Sequence, residues 1–367
     1  MDSVTQFALG ATVGAAVLGK HVGVRRAAIT GGLLGTLPDL DVYIPVDDPV
    51  ESFVGHRGAT HSLIVHALIT PLIGEALVRS FAKLRPIRPL AYAAVFLCLT
   101  THALLDAMTI YGTRLFWPIW DEPLGLGSIF IIDPLYSLPL LVMTIWAVFR
   151  REWTERYGKA VKTALVFSTL YLGWTAVGQQ IAEARGISYL EKRGLPMDQI
   201  LAGPTPLNSL FWRLISVDGS TYYHVYVPLL AGVDSITAYR HQRWGTDIQC
   251  WAEREVAGSG VAATLADFAD GFYEIVRRNG DVVVSDLRMG SYPQFVFRFA
   301  VASYADGIIS DKPPVRLPTV RRWPGDMDWL VAGVTGARMI RLQEEARLVA
   351  DPRTQISRTE AAVPNAC

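Results

Sequence analysis

The sequence predicts an α-helical multi-pass membrane domain of about six apolar segments, followed by a small α+β extracytoplasmic domain. Three observations lead there. Hydrophobic residues make up 51% of the chain, charged residues only 19%, and mean hydropathy is +0.27. Soluble domains carry about 25% charged residues, so this chain is short of ordinary surface. The shortage is uneven, with 27 charged residues in positions 1–180 and 41 in positions 181–367. Finally, apolar runs follow one another at roughly 4–19, 27–37, 62–78, 89–108, 129–149 and 161–180, and then stop. The expected organisation is a membrane domain over 1–180, a soluble domain over 181–350 and a disordered tail over 351–367.

The segments differ in how well they suit a bilayer. A spanning helix needs about 20 apolar residues, and the runs from 89, 129 and 161 meet that. The run from 62 is borderline. The first two are short and carry Gly10, Gly14, Gly31, Gly32 and Gly35, small residues that let a helical hairpin pack closely. The loops between runs alternate in sign. Lys20, Arg25 and Arg26, then Arg79, Lys83, Arg85 and Arg88, then Arg150, Arg151, Arg156 and Lys159 mark one side. Asp39, Asp41, Asp47, Asp48 and Glu51, then Asp121 and Glu122, mark the other. Basic short loops stay in the cytoplasm. Six spans then place the acidic loops and everything after residue 180 outside it. No cleavable signal peptide is evident.

After residue 180 the pattern turns to strands. "FWRLISV" and "TYYHVYVPL" flank Asp218-Gly219-Ser220 and predict a hairpin. An amphipathic helix is expected over 263–277, then a turn at Asn279-Gly280 and strands in "DVVVSDLR" and "QFVFRFAVAS". A second amphipathic helix is expected over 336–349. A formal net charge of zero argues against a nucleic-acid partner.

The chemistry concentrates at the acidic ends of the membrane segments. Asp39 and Asp41 end the second run, His56 and His61 precede the third, His102 and Asp106 end the fourth, and Asp133 starts the fifth. Four segments thus deliver carboxylate and imidazole to one face of the membrane, where such groups are costly unless they have a function. His102 and Asp106 stand at i and i+4 and share a helix face. A mixed His/Asp set suits Zn²⁺, with Mn²⁺ or Fe²⁺ as alternatives, and this many ligands suits two ions. Asp41, His61 and Arg57 are the candidate catalytic residues, and Arg57 and Arg114 candidates for clamping an anionic substrate. Among the other histidines, His66 reads as packing or support, His21 lies on the basic side, and His224 alternates with strand aromatics as a structural residue.

The stretches "MDSVTQFALGA", "LPDLDVYI", "HRGATHS", "THALLDAMTIYGTRLFWP" and "SIFIIDPLYSLPLL", in this order, resemble the YdjM-type family of bacterial membrane-bound metal-dependent hydrolases. The resemblance is strong over residues 1–150 and looser beyond. It implies an inner-membrane location, a distant similarity to zinc-dependent phospholipase C, and Asp39, Asp41, His56, His61, His102 and Asp106 as metal positions. Relatives often have histidine where this chain has Gln6, so one ligand position departs from the pattern. The expected activity is metal-dependent hydrolysis of a phosphoester or lipid-linked substrate at the outer membrane interface. The rival readings are a metal-stabilised scaffold and a metal or proton transporter.

Overall fold

The computed structural model describes residues 1–150, 152–319 and 324–349. The predicted tail, 351–367, lies outside the described residues. The chain forms two compact units: 1–45, 55–179 and 204–209 make the first, and 46–54, 180–203 and the chain from 210 make the second.

The first unit is helical. It contains α1 (Ser3–Val22), α2 (Val24–Thr36), and, beyond the short α3 (Pro49–Gly55), α4 (Leu63–Ser80), α5 (Arg88–Ala107), α6 (Pro134–Phe149) and the start of α7 (Glu155–Glu191). Each apolar run therefore becomes a helix, but the expectation of six spans is corrected. Among the described residues three helical stretches are long and apolar enough to cross a membrane: Leu63–Ser80, Ala82–Ala107 and Glu155–Glu191. At about 1.5 Å per residue, the 13-residue α2 and 16-residue α6 fall short of a hydrocarbon core about 30 Å thick. The 20-residue α1 has the length, but its glycines, Gln6 and Lys20 dilute its hydropathy.

α1 and α2 form the expected glycine-lined hairpin. A Cβ at Gly10 would stand 2.3 Å from the Gly31 carbonyl oxygen, and one at Gly14 would stand 2.8 Å from Gly31 Cα. Only glycine permits backbones this close. The crossing fixes the end of α2, where Gly35 packs against Gly10 and Gln6. At the other end, Leu18, Val22, Ala27, Val78, Leu84 and Ala91 gather into a separate apolar cluster beside the basic loops.

The second unit is mainly β-sheet. One antiparallel sheet has the order β1 (Gln199–Pro204), β2 (Phe211–Asp218), β3 (Thr221–Pro228), β4 (Thr237–Gln242). The Asp218–Thr221 pair closes the predicted β2–β3 hairpin. After α8 (Gln249–Val256) and α9 (Val261–Phe268) come β5 (Tyr273–Arg278), β6 (Asp281–Asp286), the two-residue strands β7 (Gly290–Ser291) and β8 (Gln294–Phe295), β9 (Arg298–Ala305) and β10 (Ile308–Arg316). The second sheet runs β10-β9-β6-β5. Asn279 and Gly280, at φ 52° and 82°, make the predicted β5–β6 turn.

Both amphipathic helices need correction. The one expected over 263–277 ends at Phe268, because Asp270 and Gly271 take φ 50° and 79° and the chain re-enters as β5. In place of a helix over 336–349, α10 (Asp326–Thr335) ends at Gly336, which is left-handed at φ 85°. A short 3₁₀ turn follows at Leu342–Arg347. Val50 and Phe53, from the segment between the second and third apolar runs, pack in the second unit's core, with the Phe53 ring 4.7 Å from Phe268 and 4.4 Å from Phe297.

Candidate metal centre

Pro38 breaks α2 and starts a 3₁₀ turn, Pro38–Tyr43, that carries Asp39 and Asp41. Gly58 then leads into another 3₁₀ turn, Ala59–His61, and Ser62 caps α4 by accepting from Ile64 N and Val65 N. The last turn of α5 supplies His102 and Asp106. These three elements bring Asp39, His61, His102 and Asp106 together with their ligand atoms within 4.8 Å of one another. His61 Nε2 lies 3.3 Å from Asp39 Oδ1, 3.5 Å from Asp106 Oδ2 and 3.1 Å from His102 Nε2. His102 Nε2 lies 3.4 Å from Asp39 Oδ1 and 3.8 Å from Asp106 Oδ2. Ligands about 2.0–2.1 Å from a tetrahedral ion stand about 3.3 Å apart, so the spacing fits a single ion.

The surroundings fix which atoms face inward. His102 Nδ1 donates to the Gly35 carbonyl at 2.6 Å. The Thr60 hydroxyl donates to Asp41 Oδ2 at 2.8 Å and so accepts from His61 Nδ1 at 3.0 Å. In the neutral rings both Nε2 atoms then carry lone pairs aimed into the group, the pattern that outer hydrogen bonds impose on metal-ligating histidines. Asp106 is fully buried; the Met1 amine and Gln6 Nε2 meet its Oδ1, while Oδ2 has no hydrogen bond among the described residues. Arg57 Nε, 3.3 Å away, sets a positive charge against that oxygen. Burial alone would lower the pKa of His61, but the Asp106 and Asp39 carboxylates outweigh it and raise it above the ordinary histidine value. Asp39 is likewise held below its usual range, because hydrogen bonds from His102 and His61 overcome the effect of burial.

The remaining candidates are placed around this group. Asp41 and His56 pair with each other, His56 Nδ1 to Asp41 Oδ1 at 2.8 Å, while His56 Nε2 stands 4.0 Å from Asp39. Arg57, at the unusual φ of 67°, turns its amide toward Asp41 and its Nε to within 3.3 Å of Asp106 Oδ2. Arg114 pairs with Asp121 at 3.4 Å. Asp133 is not brought into the group. It caps α6, its Oδ1 accepting from Leu135 N and Tyr136 N and its Oδ2 from the Tyr171 hydroxyl, and burial raises its pKa. Its oxygens are spent as a helix cap. His66 donates from Nε2 to the Thr60 carbonyl at 2.9 Å, supporting the loop. Sequence reasoning noted Gln6 only as a departure from pattern. The structure buries it beside Asp106 and His102, with its Oε1 making no hydrogen bond among the described residues.

A second His/carboxylate group was missed: His224, His241 and Glu344 in the second unit. It differs in kind. Glu344 already accepts from His224 at 2.8 Å, His241 at 2.9 Å, the Tyr226 hydroxyl at 3.0 Å and the Arg341 guanidinium at 3.0 Å. With four donors and a buried cation beside it, this carboxylate is saturated, and the group serves as a polar tie in the core.

Fold and site together define a helical membrane protein with a buried His/Asp ligand set at one end of its helices. Residues 1–182 match the family model described as YdjM inner membrane protein, which bears out the family resemblance over that part of the chain. That name fits an inner-membrane location. No curated protein matches the chain, and no solved structure does.

Proposed function

We propose that the protein is a membrane-bound, metal-dependent hydrolase acting on a phosphoester or lipid-linked substrate at the outer membrane interface. The observation that carries this reading is the pair of lone-pair-bearing imidazoles facing two carboxylates. Asp39, His61, His102 and Asp106 would hold the ion, with Zn²⁺ or Mn²⁺ suiting the donors. Such an ion would supply Lewis acidity, polarising an ester oxygen and lowering the pKa of water toward about 7. Around it, Arg57 places positive charge beside Asp106, where a phosphate would come to lie. Asp41 orients His56, which is 28% exposed at the rim, so that its Nε2 can pass a proton to or from a reacting oxygen. The substrate's acyl chains would stay in the bilayer while its headgroup reaches the ligands.

Purified protein stripped by chelator and reloaded with Zn²⁺ or Mn²⁺ should recover phosphoester hydrolysis. Asp41→Asn and His102→Ala should abolish it. A fully metallated, folded protein that turns over no phosphoester or carboxylic ester in a broad screen would overturn the enzyme reading in favour of a metal-stabilised scaffold.

A further inference from the structure

The second unit contains a cavity of about 580 Å³, within the range of roughly 300–1,000 Å³ usual for small-molecule sites. His241, Trp244, Glu274, Arg278, Tyr292 and Arg347 are among its lining residues. Arg347 is held with its guanidinium carbon 4.3 Å from the centre of the Tyr292 ring, and Arg278 Nη2 lies 3.5 Å from Glu274 Oε1. Arg278 is thus ion-paired with Glu274, while Arg347 is oriented over a ring and has no carboxylate partner among the described residues.

Polar atoms of these lining residues are buried without a hydrogen bond among the described residues: Arg278 Nε, His241 Nδ1 and Glu274 Oε1, the last facing the Arg278 guanidinium at 3.5 Å, with Glu274 and His241 only 1% and 2% exposed. His241 donates from Nε2 to Glu344, which makes its Nδ1 an acceptor. Glu274 is anchored from behind, its Oε2 accepting from the Tyr222 hydroxyl at 2.9 Å. One cavity therefore combines two cationic side chains, one of them beside a carboxylate, with an N–H and two acceptor atoms that make no hydrogen bond among the described residues. The first set recognises an anion, and the second recognises hydroxyl groups.

We propose that this cavity binds a small hydroxylated phosphate ester, of the glycerol phosphate or sugar phosphate type. Arg278 and Arg347 take the phosphate, and Glu274 and His241 take the hydroxyls. The proposal does not depend on the metal centre, whose residues belong to the first unit.

Calorimetric titration of full-length protein in detergent tests it, using glycerol 3-phosphate, inorganic phosphate and glycerol as probes. Glycerol 3-phosphate should bind saturably, inorganic phosphate more weakly, and glycerol not measurably. Arg347→Gln and Arg278→Gln should each weaken binding about ten-fold, as expected for one lost charge-assisted contact. His61→Ala, which disrupts the metal centre, should leave this affinity unchanged. Arg347 is exposed, so its variant stays informative even if Arg278→Gln fails to fold. Vesicles containing phosphatidic acid form the second arm: Arg347-dependent binding to them, without binding of free glycerol 3-phosphate, would identify the phosphate as a lipid headgroup. Absence of saturable binding to both, or unchanged affinity in the Arg347→Gln protein, would overturn the proposal.

Discussion

His61 Nε2 and His102 Nε2 face each other at 3.1 Å, and the outer hydrogen bonds of both rings leave no proton for that contact when the rings are neutral. Two lone pairs this close repel unless a proton or a metal ion lies between them. Alanine at His61, His102 or Asp106 should therefore lower bound metal in purified protein by about ten-fold or more, since loss of even a supporting partner costs about 10–100-fold. His21→Ala, at the basic end, should leave metal content unchanged. Equal metal in all four variants, measured by elemental analysis, would dismiss the site.

The glycine crossing should matter to both stability and metal. Gly31→Ala puts a methyl 2.3 Å from the Gly10 carbonyl oxygen, a clash that backbone cannot easily relieve. Overpacking of this kind costs about 1–3 kcal/mol, and the displaced Gly35 carbonyl would release His102 Nδ1. The variant should melt lower and bind metal more weakly. Gly173→Ala in α7, where nothing lies within 4 Å, should do neither.

In the second unit, stability should fall as the solution is acidified. Burial pushes His224 down to about 3, so the native state refuses a proton that the unfolded chain accepts below about pH 6.5. Glu344 is held well below its ordinary value by His224 and His241 in spite of burial, and the unfolded chain takes its proton near pH 4 to 5 as well. In both cases the unfolded state binds more protons, so stability rises with pH across this window and declines on the acid side. Hydrogen exchange of β2 and β3 at pH 7.5, 6.0 and 5.0 should show progressively weaker protection. A His224→Gln protein should show a shallower decline, and an identical slope would contradict the assignment.

Loop charge predicts the orientation. α7 begins at the basic end, with Arg156, Lys159 and Lys162, and runs to Glu191 at the other. If the basic end is cytoplasmic, a reporter fused after Glu191 should be extracytoplasmic, whichever of the shorter helices fully crosses. Cytoplasmic reporter activity from an intact fusion would reverse the reading.

The clustering of the candidate metal-holding residues is largely legible because its signals are local. The i, i+4 pair His102 and Asp106 and the proline-ended turn at Asp39 both follow from backbone geometry over a few residues. Spacing could not tell Asp39 from Asp41 on either side of Leu40, or His56 from His61. Only the folded 3₁₀ turns send one of each pair inward and leave the others bonded to each other at 2.8 Å. The capping role of Asp133 was visible in its neighbour Pro134, but Tyr171, which takes its second oxygen, comes from 38 residues away. Glu344 was hidden within an amphipathic pattern that Gly336 interrupts, and its partners lie more than 100 residues back. Six apolar runs suggest six spans because apolar composition does not fix helix length: α2 and α6 have only 13 and 16 residues, while α1 has the length but too many glycine and polar residues.

The stretch from 46 to 54 has a bearing on modularity. It leaves the helical unit after Asp39 and Asp41, buries Val50 and Phe53 in the sheet unit's core, and returns just before His56 and His61. The two halves of the ligand set are thus joined by a stitch sewn through the other unit. A fragment ending near residue 180, though it holds all four inward-facing ligands, would leave that stitch with nothing to fasten it. Such a fragment should insert yet hold metal poorly, and recovery by co-expressing the remainder would show that the portion defined by ancestry is smaller than the portion able to work alone.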